Sequence, residues 1–289
     1  MRVWNIAVLA VAGAAAVANA PRISAESVIE HDAIDVPGAR HTRPMAISPT
    51  GAISGVYVTN DSRTHGFLLD LNGLTTFDVP GSVFTSAQGI NPQGDVVGLH
   101  SPGSMNFRGY LLRDGVFADI EIPGAINVRP FGINAAGDIV GGYVGTDNRS
   151  HGFLLRAGEI TTYDVPNSTD TTLLDINARG DVVGRYQAPA GVFHMFILSS
   201  GGDFRSIDVP GALSTGGPGS RSGLSPFGVV AGTYRDSRVR GFLFNGSDYE
   251  TIDFPDSQFT IASGVNPQGH VVGWYRDAAG FDRGFLIRR

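Results

Sequence analysis

The sequence predicts an all-β fold: a six-bladed β-propeller with four antiparallel strands per blade. Three observations predict it. A phrase of acid, hydrophobe and proline recurs at Asp35, Asp78, Glu121, Asp164, Asp208 and Asp253, at spacings of 43, 43, 43, 44 and 45 residues. Each interval holds four short strand-like pieces separated by turn residues, which is the pattern of one propeller blade. The last interval stops one strand short, at Gly284–Arg289, while a spare strand-like piece, Val28–Val36, stands before the first Pro-Gly. The N-terminal strand is therefore expected to complete the last blade and close the ring, leaving no raw sheet edge at either end of the array. Leucine-rich repeats and β-helices are the alternatives, and their periods are shorter.

The second unit shows the reasoning for each element. Phe84–Ile90 reads as strand a. Asn91-Pro92-Gln93-Gly94 follows as a turn, Asn opening it and Gly taking the positive φ. Asp95–His100 is strand b, and its Val96-Val97 pair signals burial on both faces. A loop with Pro102 and Gly103 leads to strand c, Arg108–Leu112. Arg113-Asp114-Gly115 is a tight hairpin turn. Strand d, Val116–Ile122, is ended by Pro123-Gly124. No stretch outside the first twenty residues has a helical period.

Those first twenty residues read as a secretory signal peptide: Arg2, an apolar run from Ile6 to Val17, then small residues. Cleavage is expected after Ala18, because cutting after Ala20 would place Pro21 beside the scissile bond. The apolar run is too short to span a bilayer, which needs about 20 residues. The expected organisation is thus a leader over 1–20 and one propeller domain over 21–289, a monomer that is secreted or periplasmic.

Composition narrows the function. The chain of 289 residues has no Cys, and all 21 of its basic residues are Arg. Disulfide scaffolds, thiol chemistry, Cys-ligated metal and lysine Schiff bases are excluded. A net charge of −6 argues against a nucleic-acid partner, which calls for a basic surface. There is no H-E-x-x-H, Walker loop or dinucleotide-binding glycine pattern. The stretch from Asp175 to Gly180 superficially matches a calcium loop, but Arg179 takes a ligand position and no Glu closes it. Gly219–Gly223 misses the nucleophile elbow because Arg221 stands where Ser is required. No metal, cofactor or catalytic residue is assigned.

The phrases Gly-Ile-Asn-x-x-Gly-x-Val-Val-Gly-x-Tyr and His-Gly-Phe, as at His65–Phe67 and His151–Phe153, carry a resemblance. Together they resemble the HAF repeat of predicted extracellular bacterial proteins, with Gly in place of the middle Ala. The resemblance covers the chain from about residue 29 onward. It implies an extracellular repeat protein and no settled activity.

Residues recurring in every unit are expected to serve the blade. A donor before strand c's Gly (His65, Arg108, His151, His194, Arg240, Arg283) precedes a carboxylate at the end of strand d (Asp78, Glu121, Asp164, Asp208, Asp253, and Asp35 by ring closure). These are expected to pair, because a buried carboxylate needs a partner. A metal-ligand ring is rejected, since Arg holds half of the donor positions. The aromatics near the end of strand b (Tyr57, Tyr143, Tyr186, Tyr234, Tyr275, with His100 in the second unit) either pack between blades or form a rim suited to sugars. Tyr143, Tyr186 and Tyr275 are carried as rim candidates.

Function is expected where units differ, in the d–a and b–c loops of one face. Arg43, Arg129 and Arg221 fall in d–a segments, and Arg63, Arg149, Arg235, Arg238 and Arg276 in or beside b–c loops. An Arg-lined funnel would bind an anionic or hydroxylated ligand such as a saccharide. The reading is a non-enzymatic binding module for such a ligand or for another extracellular protein. The alternative is an exported hydrolase or lyase acting on a saccharide or lactone, for which His41, His100 and Asp170 are the non-repeated candidates.

Overall fold

The computed structural model describes residues 31–103 and 106–289. The expected leader, its cleavage point and the first residues of the spare strand lie outside the described residues. The described residues form strands and turns with no helix, twenty-five strands in all. They run as six consecutive antiparallel units. The second has strand a at Phe84–Ile90, b at Val96–Ser101, c at Arg108–Arg113 and d at Val116–Ile120. The a strands of units one, three, four and six are His41–Ile47, Asn127–Ile133, Asp170–Ile176 and Phe259–Val265. In unit five strand a is broken into Ser214–Thr215 and Gly223–Leu224, both paired with strand b, Val230–Arg235. Single parallel bridges, Thr64 to Phe84 and Ser150 to Asp170, join units one and two, and three and four, into eight-stranded sheets.

Each unit packs on the next, and strand a of unit one packs on strands a, b and c of unit six. The spare N-terminal strand is seen as Asp32–Ile34, antiparallel to strand c of unit six, Asp282–Ile287. It supplies the fourth strand that this unit lacks in sequence.

Repeated side chains explain why the units stack. The aromatic of strand c (Phe67, Tyr110, Phe153, Phe196, Phe242, Phe285) is fully buried in every unit. Its ring lies over the glycine of the neighbouring strand b. At Gly98 an added Cβ would strike the Ser86 carbonyl and the Tyr110 ring, and at Gly273 the Ile261 carbonyl and Phe285. Only glycine admits this close approach. A second device is a threonine at the second residue of strand a. Its Oγ1 accepts the backbone N–H of the apolar residue in the preceding acid-hydrophobe-Pro phrase: Thr42 from Val36 at 3.1 Å, Thr85 from Val79 at 3.0 Å, Thr171 from Val165 at 3.0 Å, Thr215 from Val209 at 2.8 Å and Thr260 from Phe254 at 3.1 Å. Unit three has Val128 there instead.

The Asn of the a–b turn has two uses. Its Oδ1 accepts turn N–H groups, as Asn91 does from Gln93 and Asp95. Its Nδ2 donates to the next unit: Asn91 to the Asn134 carbonyl, Asn134 to Asn177, and Asn177 to Ser225.

The expected donor–carboxylate pairs form in four units. His65 bonds Asp78 at 2.8 Å, His151 bonds Asp164 at 2.9 Å, His194 bonds Asp208 at 2.9 Å, and Arg240 lies 3.2 Å from Asp253. The other two expectations are corrected. Arg283 turns to Asp277 at 3.1 Å rather than to Asp35, because its own b–c loop supplies a nearer carboxylate. Arg108 is exposed and, among the described residues, forms no ion pair with Glu121, which is exposed as well. The pairs are also shallower than expected: the side chains of Asp78 and Asp164 are 46% and 41% exposed.

Candidate functional site

A register shift recurs inside strand a of five units, between Pro44 and Ala46, Ala87 and Gly89, Pro130 and Gly132, Leu173 and Asp175, and Ala262 and Gly264. Such a bulge leaves one residue out of the pairing and re-aims its side chain. Four of the skipped residues, Met45, Gln88, Phe131 and Leu174, line one cavity of about 30 Å³, together with Asp175, Arg221 and Gly264. All six units contribute to its wall. The cavity therefore lies where the a strands converge.

Arg221 comes from the break in unit five's strand a. Its Nε donates to Gln88 Oε1 in unit two at 2.7 Å, and its Nη1 to the carbonyls of Gly219 and Ser220 at 3.1 and 3.0 Å. Its guanidinium lies 5.0 Å from the ring centre of Phe131 in unit three. It thus joins units that are not packing neighbours, as a bar across the convergence of the a strands. Gln88 is held in turn by Ser86, to whose Oγ its Nε2 donates.

Arg43 and Arg129 are the third residues of their a strands, two repeats apart, and Arg185 on strand b of unit four is in register with the corresponding residue, Thr172. The three share one level, two residues nearer the d–a end than the side chains that line the cavity. Arg129 lies 5.3 Å from the ring centre of Phe107, and Arg185 lies 5.4 Å from that of Phe193. Burial lowers the proton affinity of Arg129 and Arg185, against the attraction of Asp170. It pushes Arg221 down to about 9, and repulsion from Arg185, Arg129 and Arg43 adds to the shift. Arg129 Nε and Arg185 Nε and Nη1 are buried without a hydrogen-bond partner. Unpaired buried N–H groups are costly, and cationic ones more so.

The sequence placed Arg43, Arg129 and Arg221 in d–a loops. Arg43 and Arg129 instead lie within strand a, and only Arg221 is in a loop. All three are close enough to repel one another, together with Arg185, which the sequence reading missed. Its only signal was an Arg in a strand b position that is Gly in unit three and Leu in unit two.

Arg43 is already engaged. Asp282, with its side chain fully buried, accepts from Arg43 Nε at 2.6 Å and from Arg276 Nε at 2.7 Å. The Asp282 backbone N–H donates to His41 Nδ1 at 3.1 Å. Burial would raise the Asp282 carboxyl, but the bonds and charges of Arg276 and Arg43 outweigh it and hold it below the usual carboxylate range. This cluster ties unit one to unit six. His100 is held by Ser82 Oγ at 2.8 Å and Asp119 at 3.3 Å.

The tyrosines stand apart from the arginines. Tyr143 bonds Thr162 Oγ1 on its own strand d at 2.9 Å and stacks on His151. Tyr186 stacks on His194, and Tyr275 on Phe254 at 4.5 Å. Several b–c arginines serve the frame: Arg149 and Arg238 donate to the carbonyls of Ser168 and Ser257.

Asp175 sits on the cavity side of Arg221. Its oxygens accept the N–H groups of Leu224 and Ile176, each at 2.8 Å, so it stitches unit four to unit five. Its depth pushes its carboxyl up to about 7. Among the described residues no group of three or more His, Asp or Glu is gathered as a metal site.

No protein-family model matches the chain, and no curated relative does. Solved structures do. TolB from Acinetobacter baumannii is similar at a TM-score of 0.61 and 15% identity, over 82% of this chain and 64% of its own length. AofleA from Arthrobotrys oligospora is similar at 0.58 and 15%, over 90% of this chain and 86% of its own. The Aleuria aurantia lectin, a six-bladed β-propeller that recognises fucose, is similar at 0.51 and 11%, over 86% and 93%. At these identities the likeness shows the fold alone. The class is that of the β-propellers. Among the described residues no helix is long and apolar enough to cross a membrane.

Proposed function

We propose that the chain is an exported repeat protein of the HAF type, a propeller of six blades closed by its N-terminal strand, that binds an anionic or hydroxylated saccharide at the axial end of its d–a and b–c loop face. Pairing of Asp32–Ile34 with Asp282–Ile287, the packing of unit six on unit one, and the Asp282 cluster all support closure. The binding reading is carried by one observation: buried guanidinium nitrogens of Arg129 and Arg185 lack partners beside Arg221. A ligand that supplies acceptors would offset the cost of those unpaired groups. His41 and His100 are each held by structural partners, so the binding reading is favoured over the hydrolase.

The test is binding to immobilised neutral, uronic-acid and sulfated glycans. Acidic glycans should be retained, and an Arg129→Gln/Arg221→Gln double variant should lose at least tenfold in affinity. Equal binding by the two proteins would overturn the reading.

A further inference from the structure

Arg221 crosses from unit five to Gln88 in unit two and lies over Phe131 in unit three. On one side of it is the cavity of about 30 Å³, lined by Met45, Gln88, Leu174, Asp175 and Ser222 as well as by Arg221 itself, with room for about two waters. On the other side are Arg43, Arg129 and Arg185. That basic side is the candidate basin, with Arg221 between it and the cavity.

The basin's donors have a definite character. Arg129 and Arg185 come from different units, and each lies over its own phenylalanine. Their three unpartnered nitrogens are spread over two guanidinium planes, so the acceptors they need are not those of one planar fork. A carboxylate offers two oxygens in one plane, and one guanidinium fork satisfies it. A tetrahedral ester group offers three terminal oxygens in different directions. The charge agrees. Asp170 attracts Arg129 and Arg185, while Arg221 meets the like charges of Arg185, Arg129 and Arg43. That leaves a surplus of two positive charges. Arg43 and Arg276 are shared with Asp282 and add one more at the edge.

Building on the saccharide-binding reading, we propose that the basin takes a tetrahedral oxyanion ester, a sulfate or phosphate monoester carried on a sugar, with the charged end inward between Arg129 and Arg185 and above Arg221. The ester oxygens supply the acceptors that the two arginines lack. The phenylalanine faces brace Arg129 and Arg185, and the Gln88 bond braces Arg221; the unpartnered nitrogens are buried in the free protein, so neighbouring side chains must part to admit the ester.

A matched series tests it: glucose, glucuronate, glucose 6-sulfate, glucose 6-phosphate, and free sulfate and phosphate, titrated by calorimetry into the full chain. The two esters should bind at least tenfold more tightly than glucuronate, with glucose weaker still. Glucuronate binding as well as the esters would overturn the oxyanion assignment and leave the acidic-saccharide reading standing. Free sulfate or phosphate matching the esters would keep the oxyanion site and overturn the sugar as its carrier. No binding by any member would overturn both.

Arg185→Met separates ligand binding from a structural role. It removes an unpartnered buried charge but keeps a long side chain against Phe193. Ester affinity should fall at least tenfold while the free protein melts at a higher temperature. A lower melting temperature with unchanged ester affinity would make Arg185 a structural residue and overturn the proposal.

Discussion

Two buried carboxylates with opposite shifts give opposite pH signatures. Asp175 is raised to about 7 by burial. An unfolded Asp titrates near roughly 3.9. Its favourable contribution is therefore complete below that value and is lost as pH rises through about 7. Asp175→Asn should flatten the loss of stability between about pH 4 and about pH 7, read as the urea midpoint at each pH; an unchanged slope would assign the dependence elsewhere. Asp282 is held low by Arg276 and Arg43 despite its burial. Its contribution is present above the unfolded value and is lost as pH falls through its depressed folded value. Asp282→Asn leaves two half-buried arginines short of their partner, and should cost about 1.5–3 kcal/mol at neutral pH by denaturant unfolding. A loss below about 1 kcal/mol would mean the cluster does not bind unit one to unit six.

Elements repeat because a few side chains repeat. Gly98 and Gly273 give the strand c aromatic its seat, so Gly273→Val should destabilise by more than about 2 kcal/mol, as overpacking and strain in a close-packed core require. Thermal unfolding is the check, and a neutral result would mean strand b can yield at Phe285. The strands were legible in the sequence because their signals are local and recur. Phe84–Ile90 was placed with its bounds, and strand d of unit two was two residues too long, since Glu121 and Ile122 belong to the bend before Pro123. The threonine clamp recurs in five of the six units, six residues after the apolar member of the phrase, and was not read. The Arg basin was legible only in part. Arg43, Arg129 and Arg221 stood out because they break the repeat, but whether they face solvent or axis depends on the bulge in strand a, which no local pattern marks. Arg185 was missed because a strand b residue gains its meaning from register with Thr172. Tyr143, Tyr186 and Tyr275 looked like a rim, yet Tyr143 and Tyr186 stack on histidines of their own units and Tyr275 on the buried Phe254 that follows unit five, a choice set by packing and not by spacing.

At the scale of the whole molecule, the proposed closure and the proposed binding are linked. The a strands can meet around Arg221 only if unit six is held against unit one, which the strand Asp32–Ile34 and the Asp282 cluster both support. Removing residues 1–37 would expose the free edge of Asp282–Ile287, an open template for intermolecular pairing. Such a variant should melt at a lower temperature and elute as oligomers in size-exclusion chromatography; a monomer of unchanged stability would show that the latch is dispensable. The central claim is where the ligand sits. The most direct measurement is a crystal structure of the complex with glucose 6-sulfate. The account predicts the sulfate between Arg129 and Arg185, above Arg221, with its oxygens accepting from the nitrogens that are unpartnered in the free protein. A sugar bound between outer strands, with those nitrogens still unpartnered, would contradict it.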